Sequence, residues 1–176
     1  MAPANLLLIR GENVIAEGIN LALSLKSAKL PVNQDAYEDF SPSVANGSTD
    51  IAVSSDALEL AFTTTGIQPE LLAQCNRAFG WRGKYTLYGA LVDEYATDAS
   101  TRIQQVEATA IGRLNAEVSD NERKSVGGTD YTVKSIIKYT LRIAGIEICR
   151  FDLKNGGWID RDGQRSEIAQ MIALTA

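Results

Sequence analysis

The chain has 176 residues, 45% of them apolar and 22% charged, the make-up of one ordinary globular domain. Its 17 Lys and Arg against 22 Asp and Glu leave a net charge of −5, which excludes the basic surplus of a general nucleic-acid binder. It contains no histidine, which removes His-ligated zinc, His-based triads and the commonest general acid–base group.

No stretch approaches the ~20 apolar residues that cross a bilayer, and Met1–Asn5 lacks the basic start and apolar core of a secretory signal. Leu6–Ile9 is a short apolar run, Arg10-Gly11-Glu12-Asn13 reads as a turn, and Val14–Ala16 completes an expected hairpin. Ile19, Leu21, Leu23 and Leu25 alternate with polar or small residues, which predicts a strand with four apolar side chains on one face. Residues 31 to 50, rich in Pro, Asn, Ser and Asp, read as a long irregular segment. Tyr37 and Phe40 in its middle are odd for a simple linker. They either fold back on their own core or belong to an arm that docks on a neighbouring subunit.

Ile51–Val53 starts a strand, and Leu58, Leu60 and Phe62 alternate into another that Gly66 ends. Pro69 and Glu70 open a helix that carries Leu71, Leu72, Cys75 and Phe79 at helical spacing until Gly80 stops it. Tyr85, Leu87 and Leu91 mark a strand from Lys84. Val106, Ala108, Ala110 and Leu114 mark one over 102–114. The most regular strand is 131–143, about 40 Å long, with Tyr131, Val133, Ile137, Tyr139, Leu141 and Ile143 on one face, interrupted by Ser135. Ala144-Gly145 turns it into the return strand Ile146–Leu153. Asn155-Gly156-Gly157 turns again before Trp158–Asp160, and Ile168, Met171 and Ile172 predict a terminal helix. The expected fold is mainly β: two packed antiparallel sheets, sandwich- or barrel-like, with one short flanking helix. All of 1–176 forms one domain.

No catalytic constellation emerges: there is no P-loop, no Gly-x-Ser-x-Gly elbow and no base for a nucleophile. The adjacent acids Glu38-Asp39 and Asp93-Glu94 point to opposite strand faces or splay in a loop, so they read as solvated surface. Asp160-Arg161-Asp162-Gly163 starts like a calcium loop, but its twelfth position is Met171 rather than Glu, so it reads as a turn. Cys75 and Cys149 lie far apart among apolar neighbours and read as buried thiols. Lys134, Lys138 and Arg142 line one strand face, where acids on the next strand commonly pair with them. No catalytic residue, cofactor or metal is expected, and the chain is read as a non-enzyme.

The order of these features resembles the major tail tube proteins of contractile-tailed bacteriophages and the related phage-tail-like bacteriocins. The resemblance runs through Leu30-Pro31 and the arm with Tyr37, then Ile51–Val53, Leu58–Thr63 and the helix Pro69–Gly80. It is most extensive in Lys138–Gly145, Glu147-Ile148, Phe151–Leu153, Asn155-Gly156 and Asp162-Gly163-Gln164, and covers roughly residues 15 to 170. Where the family's arm often has Gly-Gly-Met after its Tyr, this chain has Phe40-Ser41-Pro42-Ser43.

The resemblance implies hexameric rings stacked helically into a hollow tube. A contractile sheath would surround the tube, with a tape-measure protein and then DNA in the lumen and baseplate and tail terminator proteins at the ends. Assembly would take place in the host cytoplasm. With it, the 31–50 arm becomes the candidate for ring-to-ring contact through Tyr37 and Phe40. The 131–153 hairpin becomes the candidate ring-forming element through Tyr139, Leu141, Ile143 and Ile148. A headless injection system or bacteriocin tube is one alternative. A small-ligand-binding β-barrel is another, as a monomer with a closed apolar cavity, and a histidine-free hydrolase is a third with no residues to nominate.

Overall fold

The structure, a computed structural model, describes residues 7–40, 49–96, 98, 102–118 and 127–159. The proposed terminal helix and the Asp160–Gly163 turn lie outside the described residues.

Strand β1 (Leu7–Ala16) is continuous and antiparallel to β7 (Gly83–Asp93), so the expected hairpin at its start is corrected. Gly11, at φ 75°, absorbs an extra residue as a bulge between Arg10 and Glu12 instead of reversing the chain. Glu17 and Gly18 then turn at positive φ into β2 (Ile19–Asn20). The alternation expected to continue through Leu25 is broken. The Asn20 side-chain oxygen accepts from the Ala22 N–H, the chain turns over Leu21–Ser24, and only then does β3 (Leu25–Lys29) begin. Leu21 is buried and Leu23 stands fully in solvent.

The 31–50 segment is also corrected. Its described part is not irregular: β4 (Asp35–Phe40) pairs antiparallel with β5 (Thr49–Ser55) in a separate two-stranded sheet. Strand β6 (Leu60–Thr65) leads to the helix α1 (Pro69–Cys75). The helix ends one turn earlier than expected, because Asn76 caps it and its side-chain amide donates to the Leu72 carbonyl. Phe79, expected at helical spacing with Leu71, Leu72 and Cys75, therefore lies beyond the helix and is 100% exposed.

Strands β7, β8 (Ile103–Val118), β9 (Gly128–Ile143) and β10 (Ile146–Asp152) form consecutive antiparallel neighbours, with β11 (Gly157–Ile159) beyond β10. The turn Ala144-Gly145 has φ 51° and 78°, the geometry that matches the twist of a two-residue hairpin. Strand β9 pairs with β8 on one side. On the other it pairs with β6 along 128–133 and with β10 along 138–143. The two are separated by a bulge at Ser135, whose φ is 51°. The bulge turns Ile136 into the core, where the uninterrupted alternation had placed Ile137. Strand β3 pairs with β6 and returns towards β1, where the Glu12 carboxylate accepts the Ala28 N–H across the gap.

The inside of this wrapped sheet is filled by side chains. Tyr85, Tyr131 and Tyr139 are buried with Leu21, Leu60, Leu71 and Leu114, and Phe62 stacks on Tyr131 at 5.2 Å. That packing leaves the region where a ligand-binding barrel would hold its ligand occupied by the protein's own core.

Candidate assembly surfaces

Three surfaces follow from the strand order. The first is a pair of open edges. Residues Leu7–Arg10 of β1 pair only with β7, since β2 reaches only Ile15 and Ala16. Residues Ile146–Cys149 of β10 pair only with β9, since β11 reaches only Arg150–Asp152. Among the described residues, these segments expose one row of backbone donors and acceptors each. Both lie at the same end of the sheet, because Leu8 pairs with Val92, Val92 with Ile103, Val106 with Ile143 and Ile143 with Ile146. Leu7, Ile9, Ile103 and Ile146 are exposed there. The β1 edge was missed by sequence reasoning, which folded it into a hairpin; its apolar start, unsupported by a second apolar face, was the available signal.

The second surface is the outward face of β7–β10, which carries Thr86, Thr109 and Thr140 in one cross-strand row and Tyr88, Glu107, Arg142 and Glu147 in the next. Its cations on β9 and β10 are paired, whereas Lys84 of β7 and Arg113 of β8 have no ion pair among the described residues. Lys134 Nζ lies 3.0 Å from Glu59, Lys138 Nζ 3.8 Å from Asp152, and Arg142 3.9 Å from Glu147, which also lies 3.6 Å from Arg150. These exposed pairs contribute little stability, but they cancel charge along the row.

The third surface is the arm β4–β5. Tyr37 is 61% exposed on it, beside the exposed carboxylates of Glu38 and Asp39. Phe40 is the last residue of β4 and pairs with Thr49. The arm's root is fixed to the core: the buried Tyr139 hydroxyl donates to the Pro31 carbonyl at 3.3 Å, and Leu58 is buried on the segment that returns to β6.

The hairpin residues separate into two groups. Tyr139 is wholly enclosed by its own subunit and meets the edge of Trp158 at 6.2 Å. Leu141, Ile143 and Ile148 are half-buried, and Ile143 lies beside the open edge of β10. Cys75 and Cys149 are free, half-buried thiols, and burial pushes both above the ordinary thiol range. Among the described residues no three His, Cys, Asp or Glu side chains gather as metal ligands, and no helix is long and apolar enough to cross a membrane.

A family model described as phage tail tube protein FII matches residues 8–160, the whole of the described sheet system. The chain belongs to this phage tail tube family. It is a structural subunit of a tail tube and a component of the virion tail. Among curated proteins no significant match was found. For a tube subunit the open edges and the arm are the features of interest, since a polymer is built from surfaces that a monomer would have to protect.

Proposed function

We propose that the chain, as one domain over 1–176, closes into hexameric rings that stack helically into a hollow tube. A contractile sheath surrounds this tube, which conducts DNA into the host. The observation that carries the ring is the pair of open edges at one end of one sheet. Strands β1 and β10 run in the same direction, being four antiparallel steps apart. A rotation that carries a subunit onto its neighbour keeps that direction, so the β10 edge meets the next subunit's β1 edge in parallel. Ile143 and Ile148 flank this junction, while Tyr139 and Leu141 hold the hairpin to its own core.

The arm supplies ring-to-ring contact through Tyr37 and Phe40. The polar, charge-paired face of β7–β10 suits a lumen through which a tape-measure protein and then DNA slide, because few unpaired cations are left to retain phosphates. Sheath, baseplate and terminator proteins complete the assembly, which forms in the host cytoplasm.

Negative-stain electron microscopy of the purified chain tests this reading. Rings or stacked tubes about 80–100 Å wide are expected from six domains of this size. A protein that stays monomeric at high concentration would refute it.

A further inference from the structure

The charge of this chain is divided along its length. Between residues 30 and 76 there are seven acidic residues and no Lys or Arg, so the remaining 129 residues hold 17 basic and 15 acidic residues. The acidic part includes the arm. Within it Asp39 pairs directly with Asp50 across β4 and β5, and Tyr37 lies two residues from Asp39 on the same face. Two carboxylates opposite one another repel, and the arm carries no cation to relieve them.

A complementary surface follows helix α1. The Arg77 guanidinium lies over the Trp81 ring at 4.2 Å, and that of Arg113 lies 5.9 Å from the fully exposed Phe79. Arg82 crosses to the bulge in β9, where it donates to the Ser135 hydroxyl at 3.1 Å. Among the described residues none of these three arginines has a carboxylate within ion-pair distance, whereas Arg10, Lys134, Lys138, Arg142 and Arg150 all do. A guanidinium lying over an aromatic ring keeps its N–H donors at the rim, free to grip a carboxylate in bidentate fashion.

We infer that the Tyr37–Asp39–Asp50 face of the arm docks on the Arg77–Phe79–Trp81–Arg82–Arg113 cluster of a second copy of this chain. The inference rests on the tube reading above and names the receptor of its arm. The matching is of kind: one exposed aromatic and two uncompensated carboxylates meet an exposed aromatic flanked by uncompensated guanidinium groups. No ion pair joins the arm to the cluster within one described subunit, and six identical copies per ring supply both halves of the contact.

The test uses the full chain in three forms: Arg77→Glu with Arg113→Glu, Asp39→Lys with Asp50→Lys, and all four changes together. Tube formation is followed by sedimentation and electron microscopy at low ionic strength, and subunit folding by thermal melting. Each reversed pair is expected to cut sedimentable tubes by about tenfold or more, the effect of losing a few charge-assisted contacts per subunit. The fourfold variant is expected to recover most of that loss. Wild-type yield from either reversed pair, or a fourfold variant no better than its parents, would overturn the inference.

Because Arg113 is half-buried and its reversal could unfold the subunit, a second measurement stands apart from it. Chains carrying Asp39→Cys are mixed with chains carrying Phe79→Cys and oxidised after assembly. A mixed disulfide-linked dimer is expected, and its absence from well-formed tubes would overturn the contact. A wild-type protein that forms no rings or tubes would instead defeat the tube reading itself.

Discussion

Replacing Tyr139 by Phe probes how the arm is anchored. The hydroxyl is buried and has one partner, the Pro31 carbonyl at 3.3 Å, at the residue where the chain leaves β3 for the arm. The substitution keeps the ring and its edge contact with Trp158, so packing changes little. It removes a hydrogen bond worth about 1 kcal/mol and leaves the Pro31 carbonyl without its donor, an added cost of about 1 kcal/mol. The expected loss is therefore about 1–2 kcal/mol, or a fall of about 2–8 °C in Tm for a domain of this size. The same change should speed amide exchange of Val32–Gln34 relative to the β8–β9 core, because the arm's root has lost a tether. Thermal melting of the subunit and hydrogen exchange measure the two effects. An unchanged Tm together with unchanged exchange at 32–34 would show that Pro31 is held by something other than Tyr139.

Gly112→Ala should cost about 1–3 kcal/mol by chemical denaturation, because a Cβ there would sit 2.7 Å from a Val133 methyl and 2.8 Å from the Lys134 carbonyl oxygen. Ala144→Asn should stabilise by about 0.5–1 kcal/mol, since Ala144 holds φ 51°, a conformation Asn tolerates better, and its N–H bond to Gln105 is retained. Phe79→Ser should leave subunit stability within about 0.5 kcal/mol, because the ring is fully exposed; a larger fall would place Phe79 in the core after all. Burial pushes the phenols of Tyr85, Tyr131 and Tyr139 upward, so the unfolded chain loses these protons first. Stability should hold below about pH 10 and fall above it, and Tyr139→Phe should make that fall shallower in denaturant titrations.

The long strands were legible because period two survives wherever one face is buried along the whole element, as in Val106-Ala108-Ala110 of β8 and Tyr131-Val133 of β9. The errors share a cause: local hydrogen bonds or backbone geometry overrode the regular pattern. Asn20 pulled Leu23 out of a strand, Asn76 ended α1 before Phe79, and Gly11 turned an expected hairpin into a bulge. Each involves a residue whose side chain, or lack of one, offers the backbone an alternative to the regular ladder. The arm was legible in place but not in form. Its pairing joins two segments with little apolar alternation, so period two does not announce it. The open edges were legible only through the apolar start of β1, since an edge is defined by the absence of a neighbour in space.

The bulge at Ser135 ties these surfaces together. It lies between the pairing of β9 with β6, which ends at Val133, and that with β10, which starts at Lys138, so one strand serves both neighbours. Tyr139 lies four residues beyond the bulge and reaches Pro31 at the root of the arm. On the outward side the displaced Ser135 accepts Arg82, which fixes one end of the arginine–aromatic cluster. Lys134, just before the bulge, pairs with Glu59 on the segment that leads from the arm into β6. The arm's root, its inferred receptor and the start of the ring-forming hairpin thus share one irregularity in one strand. A residue that straightened β9 there would shift all three together, whereas a change in β1 or β10 would leave the arm untouched.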